Sequence, residues 1–424
     1  MKHNKISVFE YDRLKIGNVY NGVPFTENLQ ETLECFHASS KTKYFNLIHN
    51  GVEFCEYVGV LQVGSIQIEV LPKMDKNNED NNVWRDRLIG MLKEVGLFRV
   101  SAPSNGMLTL RPNSILELYF DIFITEVEYL VRTGLVKQYR KQTLNHTALK
   151  GSLDFPGHIA KNLVHKERFY TKTSVYDHDH VWHSIIRETI DLIRILSQNT
   201  DLHNRIGALN LNFPEISQVR ISEQTFNNLI YTRKTEAYRA SIEIARLLLL
   251  RFHPDLAAGN NHVLALMFDM NLLWESFVYH SLRKQFIKHS APYSISAQTS
   301  TSFWRASNYW RTLRPDILIK SKDDDRRFVL DTKWKNVSNT GPSSSDLQQL
   351  FAYSQFFFSS KNALLYPCRS DNIQKGRYAL TTEWSDDIMC SIINLGLELK
   401  INQWQEAIYI AITDWMHDTE AVCL

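Results

Sequence analysis

The sequence predicts a mixed α/β protein with a β-rich N-terminal part, a more helical middle and a C-terminal α/β domain. Three observations predict it. Short β-type runs punctuated by glycine fill residues 1–110, and mixed but mainly helical spacing follows over 111–257. From 258 to 424 come a helical pattern, two apolar runs around a polar turn, and a second helical pattern, in that order. With 424 residues and 44% hydrophobic content, the chain is long enough for two or three domains, each with its own core.

In the first part, Tyr44–Ile48, Phe54–Val63 and Ile66–Leu71 read as strands separated by Gly51, Gly59 and Gly64. The polar stretch Asp75–Asn82 reads as a loop. Trp84, Leu88, Met91, Leu92 and Val95 then recur at helical spacing, so a helix is expected over Val83–Val95. The repeat of glycine from Gly59 to Gly64 is no nucleotide loop, because the lysine and hydroxyl residue that a phosphate-binding loop needs are missing. No such motif stands anywhere in the chain.

Leu116–Gly134 reads as a helix ended by glycine, followed by strand-like pieces at Leu135–Tyr139 and Leu149–Phe155. Helices are expected over Val181–Leu196 and Ser241–Arg251, with Asn210–Gln218 as a connector around Pro214. The basic segment Gln138–Lys150, with Arg140, Lys141 and Lys150, reads as a solvated loop and also as a candidate partner contact. Asp177, His178, Asp179 and His180 with His183 could be taken for a metal site, since His180 and His183 share a helical face. A helix N-terminus with an aspartate cap explains the same residues. The segment Pro254–Asn261 marks the expected boundary before the last domain.

The chemistry concentrates in Leu313–Lys335. Apolar runs Ile317–Ile319 and Phe328–Leu330 flank the polar Ser321–Arg327, which is the pattern of a hairpin. A turn centred between Asp323 and Asp324 sets Asp316 opposite Asp331 on one face, with Cβ atoms roughly 4.5–5.5 Å apart. Lys333, two residues beyond Asp331, projects to the same side. Two close carboxylates favour a cation between them, and a hard oxygen site with open positions suits Mg²⁺, with Mn²⁺ as a substitute. A lysine beside such a site can orient a nucleophile or stabilise charge on a phosphate. Taken alone, the pattern also fits a surface hairpin with weak solvated ion pairs.

Flanking segments add to the pattern. Leu264–Phe286 carries Leu264, Phe268, Trp274, Phe277, Val278 and Leu282 at helical spacing, with Glu275 at the border of the apolar face. After the turn-forming Gly341–Ser345, Gln349 and Tyr353 stand four apart on one face of a helix. The order Glu275, Pro315-Asp316, Asp331-x-Lys333, Gln349-x-x-x-Tyr353 resembles the PD-(D/E)xK nuclease superfamily with its auxiliary Gln-Tyr helix. RPDILI, LDTKWK and DLQQLFAYS are similar to the McrC family, the endonuclease subunit of McrBC-type modification-dependent (type IV) restriction systems. LQVGSIQIEVLPKM (Leu61–Met74) and LKGSLDF through VYDHDHVWHSIIRETIDLIRIL resemble further segments of that family, although His183 stands where the family pattern has asparagine.

The resemblance implies a C-terminal PD-(D/E)xK nuclease domain over 258–424 and an N-terminal part that binds a partner. It implies Mg²⁺ held by Asp316, Asp331 and Glu275, and catalytic roles for Lys333, Gln349 and Tyr353. Implied partners are a McrB-like AAA+ GTPase, whose hydrolysis the chain stimulates, and double-stranded modified (methylated) DNA. Two other readings fit parts of the pattern: a non-catalytic activator of an AAA+ protein, and a stand-alone repair nuclease.

Net charge is only +2, which argues against an extended basic tail, but Arg283, Lys284, Arg305, Arg311 and Arg314 surround the motif, interleaved with Trp304, Tyr309 and Trp310. That interleaving suits phosphate contacts with base or sugar stacking, and equally a solvated face. Cys35, Cys55, Cys368, Cys390 and Cys423 are widely spaced and read as reduced thiols. No signal pattern or membrane span is expected, which places the protein in the cytoplasm.

Overall fold

The computed structural model describes residues 5–40, 42–72, 81–96, 115–253, 262–307, 309–335, 341–359, 361–368, 370–380, 383–397 and 400–418. The chain is mixed α/β, and its described residues divide into two compact units. One draws on Met1–Phe98 and Met267–Leu424, the other on Arg99–Pro254 and His262–Leu266. The expected boundary segment Pro254–Asn261 and Cys423 lie outside the described residues.

In the first unit, Lys5–Phe9 pairs in parallel with Ile66–Leu71, which pairs antiparallel with Tyr57–Val63. The tight turn between the last two passes through Gly64 at φ 55°, a left-handed conformation that glycine adopts without a Cβ clash. The single strand expected over Phe54–Val63 is two, Gly51–Phe54 and Tyr57–Val63. A second sheet joins Arg13–Lys15, Gly51–Phe54 and Phe45–Ile48. The helix Asn81–Glu94 begins within the stretch expected as a loop. Its Arg85 reaches Glu69 at 2.6 Å, and Lys5 approaches the same carboxylate at 2.9 Å. Glu69 is fully buried, so two cations compensate a charge that burial would otherwise penalise heavily.

The C-terminal part of this unit is built on a six-stranded sheet in the order Tyr293–Ala297, Ile317–Ser321, Arg327–Thr332, Lys361–Cys368, Glu383–Gly396, Asn372–Leu380. The two central pairings, Arg327–Thr332 with Lys361–Cys368 and Lys361–Cys368 with Glu383–Gly396, are parallel. The crossover between the first two is the helix Ser344–Phe357, capped by Ser343, whose hydroxyl accepts from the Asp346 N–H. Leu350, Tyr353 and Phe357 of that helix pack on Leu318, Val329 and Leu364. Strand residues alternate between faces. Val329, Asp331 and Lys333 therefore share the side covered by this helix, while Phe328 turns to the ring of Trp415 in the helix Ile401–His417.

The helix expected over Leu264–Phe286 begins later than its spacing suggested. Val263–Asp269 is a strand with five consecutive buried residues, and the helix runs Met270–Lys288. Asp269 makes the break, its carboxylate accepting from the N–H groups of Asn271 and Leu272. A short apolar run buried on both faces has no period of its own, so its leucines merged with the helical pattern that follows.

In the second unit, Gln138–His146 and Phe169–Asp177 form a long antiparallel ladder with Ser152–Leu153 at its edge. The segment expected as a loop over Gln138–Lys150 is thus mostly strand, and Phe155, expected to end a strand, opens the helix Phe155–Asn162. The helices Ile115–Thr133, Val181–Leu196, Thr200–Asn212 and Arg239–Arg251 pack on one another, and Phe155–Asn162 lies against the ladder. The third of these takes in the first residues of the expected connector. Arg205 ties the Thr200–Asn212 helix to the first through Asp121, Thr125 and Glu128, at 2.5–2.9 Å.

Asp179 does not cap the helix Val181–Leu196. The cap position is His180, and the Asp179 carboxylate accepts instead from the N–H and hydroxyl of Ser217 at 2.9 and 2.6 Å and pairs with Arg140. The ring of His183 is fully buried and spends both nitrogens on protein partners, the His178 carbonyl at 2.6 Å and the Tyr238 hydroxyl at 3.0 Å. No helix among the described residues is long and apolar enough to cross a membrane.

Candidate active site

The hairpin has the register anticipated from its turn: Ile317 faces Leu330, Leu318 faces Val329 and Ile319 faces Phe328. Extending the ladder by one step sets Asp316 opposite Asp331. Asp316 reaches across, its Oδ2 accepting from the backbone N–H of Thr332 at 2.7 Å and from the Thr332 hydroxyl at 2.8 Å. Asp331 is 1% exposed. Its Oδ2 forms an ion pair with the Lys333 ammonium at 2.8 Å.

Lys333 Nζ also lies 3.5 Å from Gln349 Oε1 and 3.8 Å from Asp346 Oδ1. The Gln349 amide donates to the Tyr353 hydroxyl at 2.6 Å, and that hydroxyl donates to the Arg314 carbonyl at 3.1 Å. A chain of bonds thus runs from the lysine through the crossover helix to the residue two before Asp316. Glu275 joins from the helix Met270–Lys288. Its carboxylate accepts from the Gln298 amide, and the backbone N–H of Gln298 donates to the Asp316 carbonyl at 3.0 Å. All six residues singled out in the sequence, Glu275, Asp316, Asp331, Lys333, Gln349 and Tyr353, fall in this one network, with Glu275 linked to the aspartates through Gln298.

The electrostatics show crowding of like charge. Burial pushes the Glu275 carboxyl up to about 7, and the nearby Asp316 and Asp331 add to the shift. Asp331 is raised to about 6, first by burial and then by Asp316, against the opposing pull of Lys333. Burial works against the charged form of Lys333, but Asp331 and Asp346 outweigh it and hold the ammonium above its ordinary value. Such a site gains from a cation near the carboxylates. Among the described residues no three His, Cys, Asp or Glu side chains converge on one point. The donor set fits a divalent ion held by two carboxylates and completed by water and a phosphate, as Mg²⁺ commonly is.

Asp346 was not singled out in the sequence. It is 8% exposed and also lies 3.5 Å from Lys335. Its signal was present, since Asp346, Gln349 and Tyr353 stand three and seven residues apart on one helical face. Gln298 and Thr332 carried no such signal, because their roles depend on which strands become neighbours. Of the basic residues near the motif, Lys284 is taken up by Glu94 at 3.0 Å and Gln405 at 3.0 Å. Arg283, Arg305, Arg311 and Arg314 are exposed.

A mixed sheet with a helical crossover, carrying two carboxylates and a lysine at one end of adjacent strands, defines a mixed α/β domain with a charged site at its strand ends. Residues 52–367 match the family described as McrBC 5-methylcytosine restriction system component, and the chain belongs to that family. Among solved structures it is similar to a chain of the half-complex from a tetradecameric assembly of Thermococcus gammatolerans McrB AAA+ hexamers with bound McrC. The TM-score is 0.69 at 17% identity, over 97% of this chain and 100% of that one. A chain of the Thermococcus gammatolerans McrBC complex matches with a TM-score of 0.50 at 19% identity, over 66% of this chain and 88% of that one. At these identities the likeness is one of fold. No curated protein matches the chain.

Proposed function

We propose that this chain is a metal-dependent endodeoxyribonuclease subunit that cleaves modified DNA together with an AAA+ GTPase and stimulates that partner's GTP hydrolysis. The observation that carries the reading is the hairpin register, which gathers Asp316, Asp331 and Lys333 at one end of two strands. Membership of the McrBC family supports the restriction context, and the McrB hexamers named with the similar structures support the choice of partner.

In this mechanism Asp316 and Asp331 would hold the ion, and Glu275, joined to them through Gln298, would position a water or complete the ligand set. Mg²⁺ or Mn²⁺, when bound there, would supply neutralisation of phosphate charge and acidify the attacking water. Lys333 orients the attacking water and stabilises negative charge on the phosphoryl oxygens. Gln349 holds the ammonium in place, and Tyr353 fixes Gln349 by bonding to the Arg314 carbonyl. Asp346 shares the charge of Lys333, which keeps the lysine protonated while the aspartates serve the metal.

The test is cleavage of methylated and unmethylated plasmid by the chain and its Lys333→Ala variant, with and without the AAA+ protein and GTP, while GTP hydrolysis is followed. GTP-dependent cutting by the wild type alone, with stimulated hydrolysis from both, is the expected result. Stimulated hydrolysis with no cutting from the wild type would replace this reading with that of a non-catalytic activator.

A further inference from the structure

Among the described residues, the strands Thr301–Ala306 and Tyr309–Leu313 pair only with each other and are not hydrogen-bonded into the six-stranded sheet. This ribbon shows four large aromatic side chains to solvent: Phe303 is 46% exposed, Trp304 51%, Tyr309 69% and Trp310 64%. Aromatic surface gathered so densely marks an interaction site. The register sets Trp304 opposite Arg311 and Arg305 opposite Trp310, and successive residues alternate in face. Each face of the ribbon therefore presents an arginine beside an indole.

Charge selects the occupant. From Glu275 to Asp316 the chain carries Arg283, Lys284, Lys288, Arg305, Arg311 and Arg314 and no intervening aspartate or glutamate, although acidic and basic residues nearly balance over the whole sequence. The ribbon is also built into the site. Phe303 packs edge-on against Phe356 at 5.8 Å, at the end of the helix that carries Gln349 and Tyr353. Its second strand continues through Arg314, whose carbonyl is held by Tyr353, directly into Asp316.

We infer that the strand pair Thr301–Ala306 and Tyr309–Leu313 is a DNA-contacting arm that seats duplex DNA beside the candidate site, with Arg305 and Arg311 on phosphates and Trp304 and Trp310 against sugar and base edges. A two-stranded ribbon is narrow enough to enter a major groove, and the arginine–indole pairs offer phosphate contact and stacking on either face. The inference rests on the nuclease reading for its purpose, but DNA binding is measured independently of cleavage.

The experiment measures binding of the full chain to a fluorescent DNA duplex in the absence of divalent metal, across a salt series. Arg305→Glu/Arg311→Glu is expected to weaken binding at least tenfold, and losing two phosphate contacts lowers the slope of log affinity against log salt by about two. Trp304→Ala/Trp310→Ala is expected to weaken binding with the slope unchanged. Arg305→Gln/Arg311→Gln serves if charge reversal prevents folding. The inference is overturned if the wild type binds no duplex or if the arginine variants keep its affinity and slope. A wild type that binds through the ribbon yet never cleaves would sink the nuclease reading and leave the arm standing.

Discussion

The indole N–H of Trp334 donates to Glu10 Oε1 at 2.7 Å, joining the residue after Lys333 to the end of the first strand of the chain. Both side chains are buried, at 7% and 1% exposure. Trp334 stands edge-on to Trp274 at 5.7 Å, and Trp274 stacks on Trp404 at 5.4 Å. The backbone that carries Lys333 is therefore fixed from behind by an aromatic cluster and a carboxylate from the other end of the sequence.

Trp334→Phe keeps the ring packing and removes the donor. A buried carboxylate losing a charge-assisted bond costs about 1–3 kcal/mol. The variant should unfold at lower denaturant and cleave more slowly, because Lys333 loses its backing. Equilibrium unfolding beside a cleavage assay checks both, and unchanged stability would show that the bond holds nothing in place.

Asp331 is a carboxylate held under strain of burial and like charge. Its folded pKa of about 6 lies above the ordinary aspartate value, so the folded state binds the proton more tightly and stability falls as pH rises through that window. Asp331→Asn should therefore abolish cleavage while melting no lower than the wild type at neutral pH. A variant that unfolds would assign Asp331 to the fold.

The same crowding predicts a response to metal. Mg²⁺ should raise the melting temperature of the wild type, since a ligand bound only by the folded state stabilises it by mass action. The gain should vanish in Asp316→Asn/Asp331→Asn. A gain of equal size in the double variant would place the ion elsewhere.

Gln349 links Lys333 to Tyr353, and Gln349→Ala breaks both bonds without touching a proposed metal ligand. A lost positioning bond of about 1.4 kcal/mol is about a tenfold loss of cleavage rate. The metal-induced rise in melting temperature should remain. Loss of that rise would make Gln349 part of the ion's own site.

In the second unit, burial first and then His180 push His183 down to about 3. The unfolded chain, with histidine near 6.5, binds the extra proton, so stability is full above that value and falls as pH drops towards 3. At pH 5 the loss from this residue is about 2 kcal/mol. His183→Asn should flatten the change in melting temperature between pH 7 and pH 5, and an undiminished change would assign the acid sensitivity to other groups.

Local pattern carried much of this protein. A period of two and a turn of charged residues were enough to place Asp316 against Asp331 and Lys333 beside them, because hairpin register is a short-range property. Helical spacing likewise gave Val181–Leu196 and put Gln349 and Tyr353 on one face. It erred where one signal has two causes: Leu264 and Phe268 continued a helical spacing by chance, while burial on both faces made Val263–Asp269 a strand. Asp179 looked like a cap because it precedes a helix, but Ser217 and Arg140 offered it better partners from distant elements. Only the tertiary structure decided that Glu10 backs Trp334, that Gln298 links Glu275 to Asp316, and that the residues of Met1–Phe98 share a unit with those of Met267–Leu424. Such contacts join positions far apart in sequence, and burial and polar pairing select them in the folded state, where no local period records them.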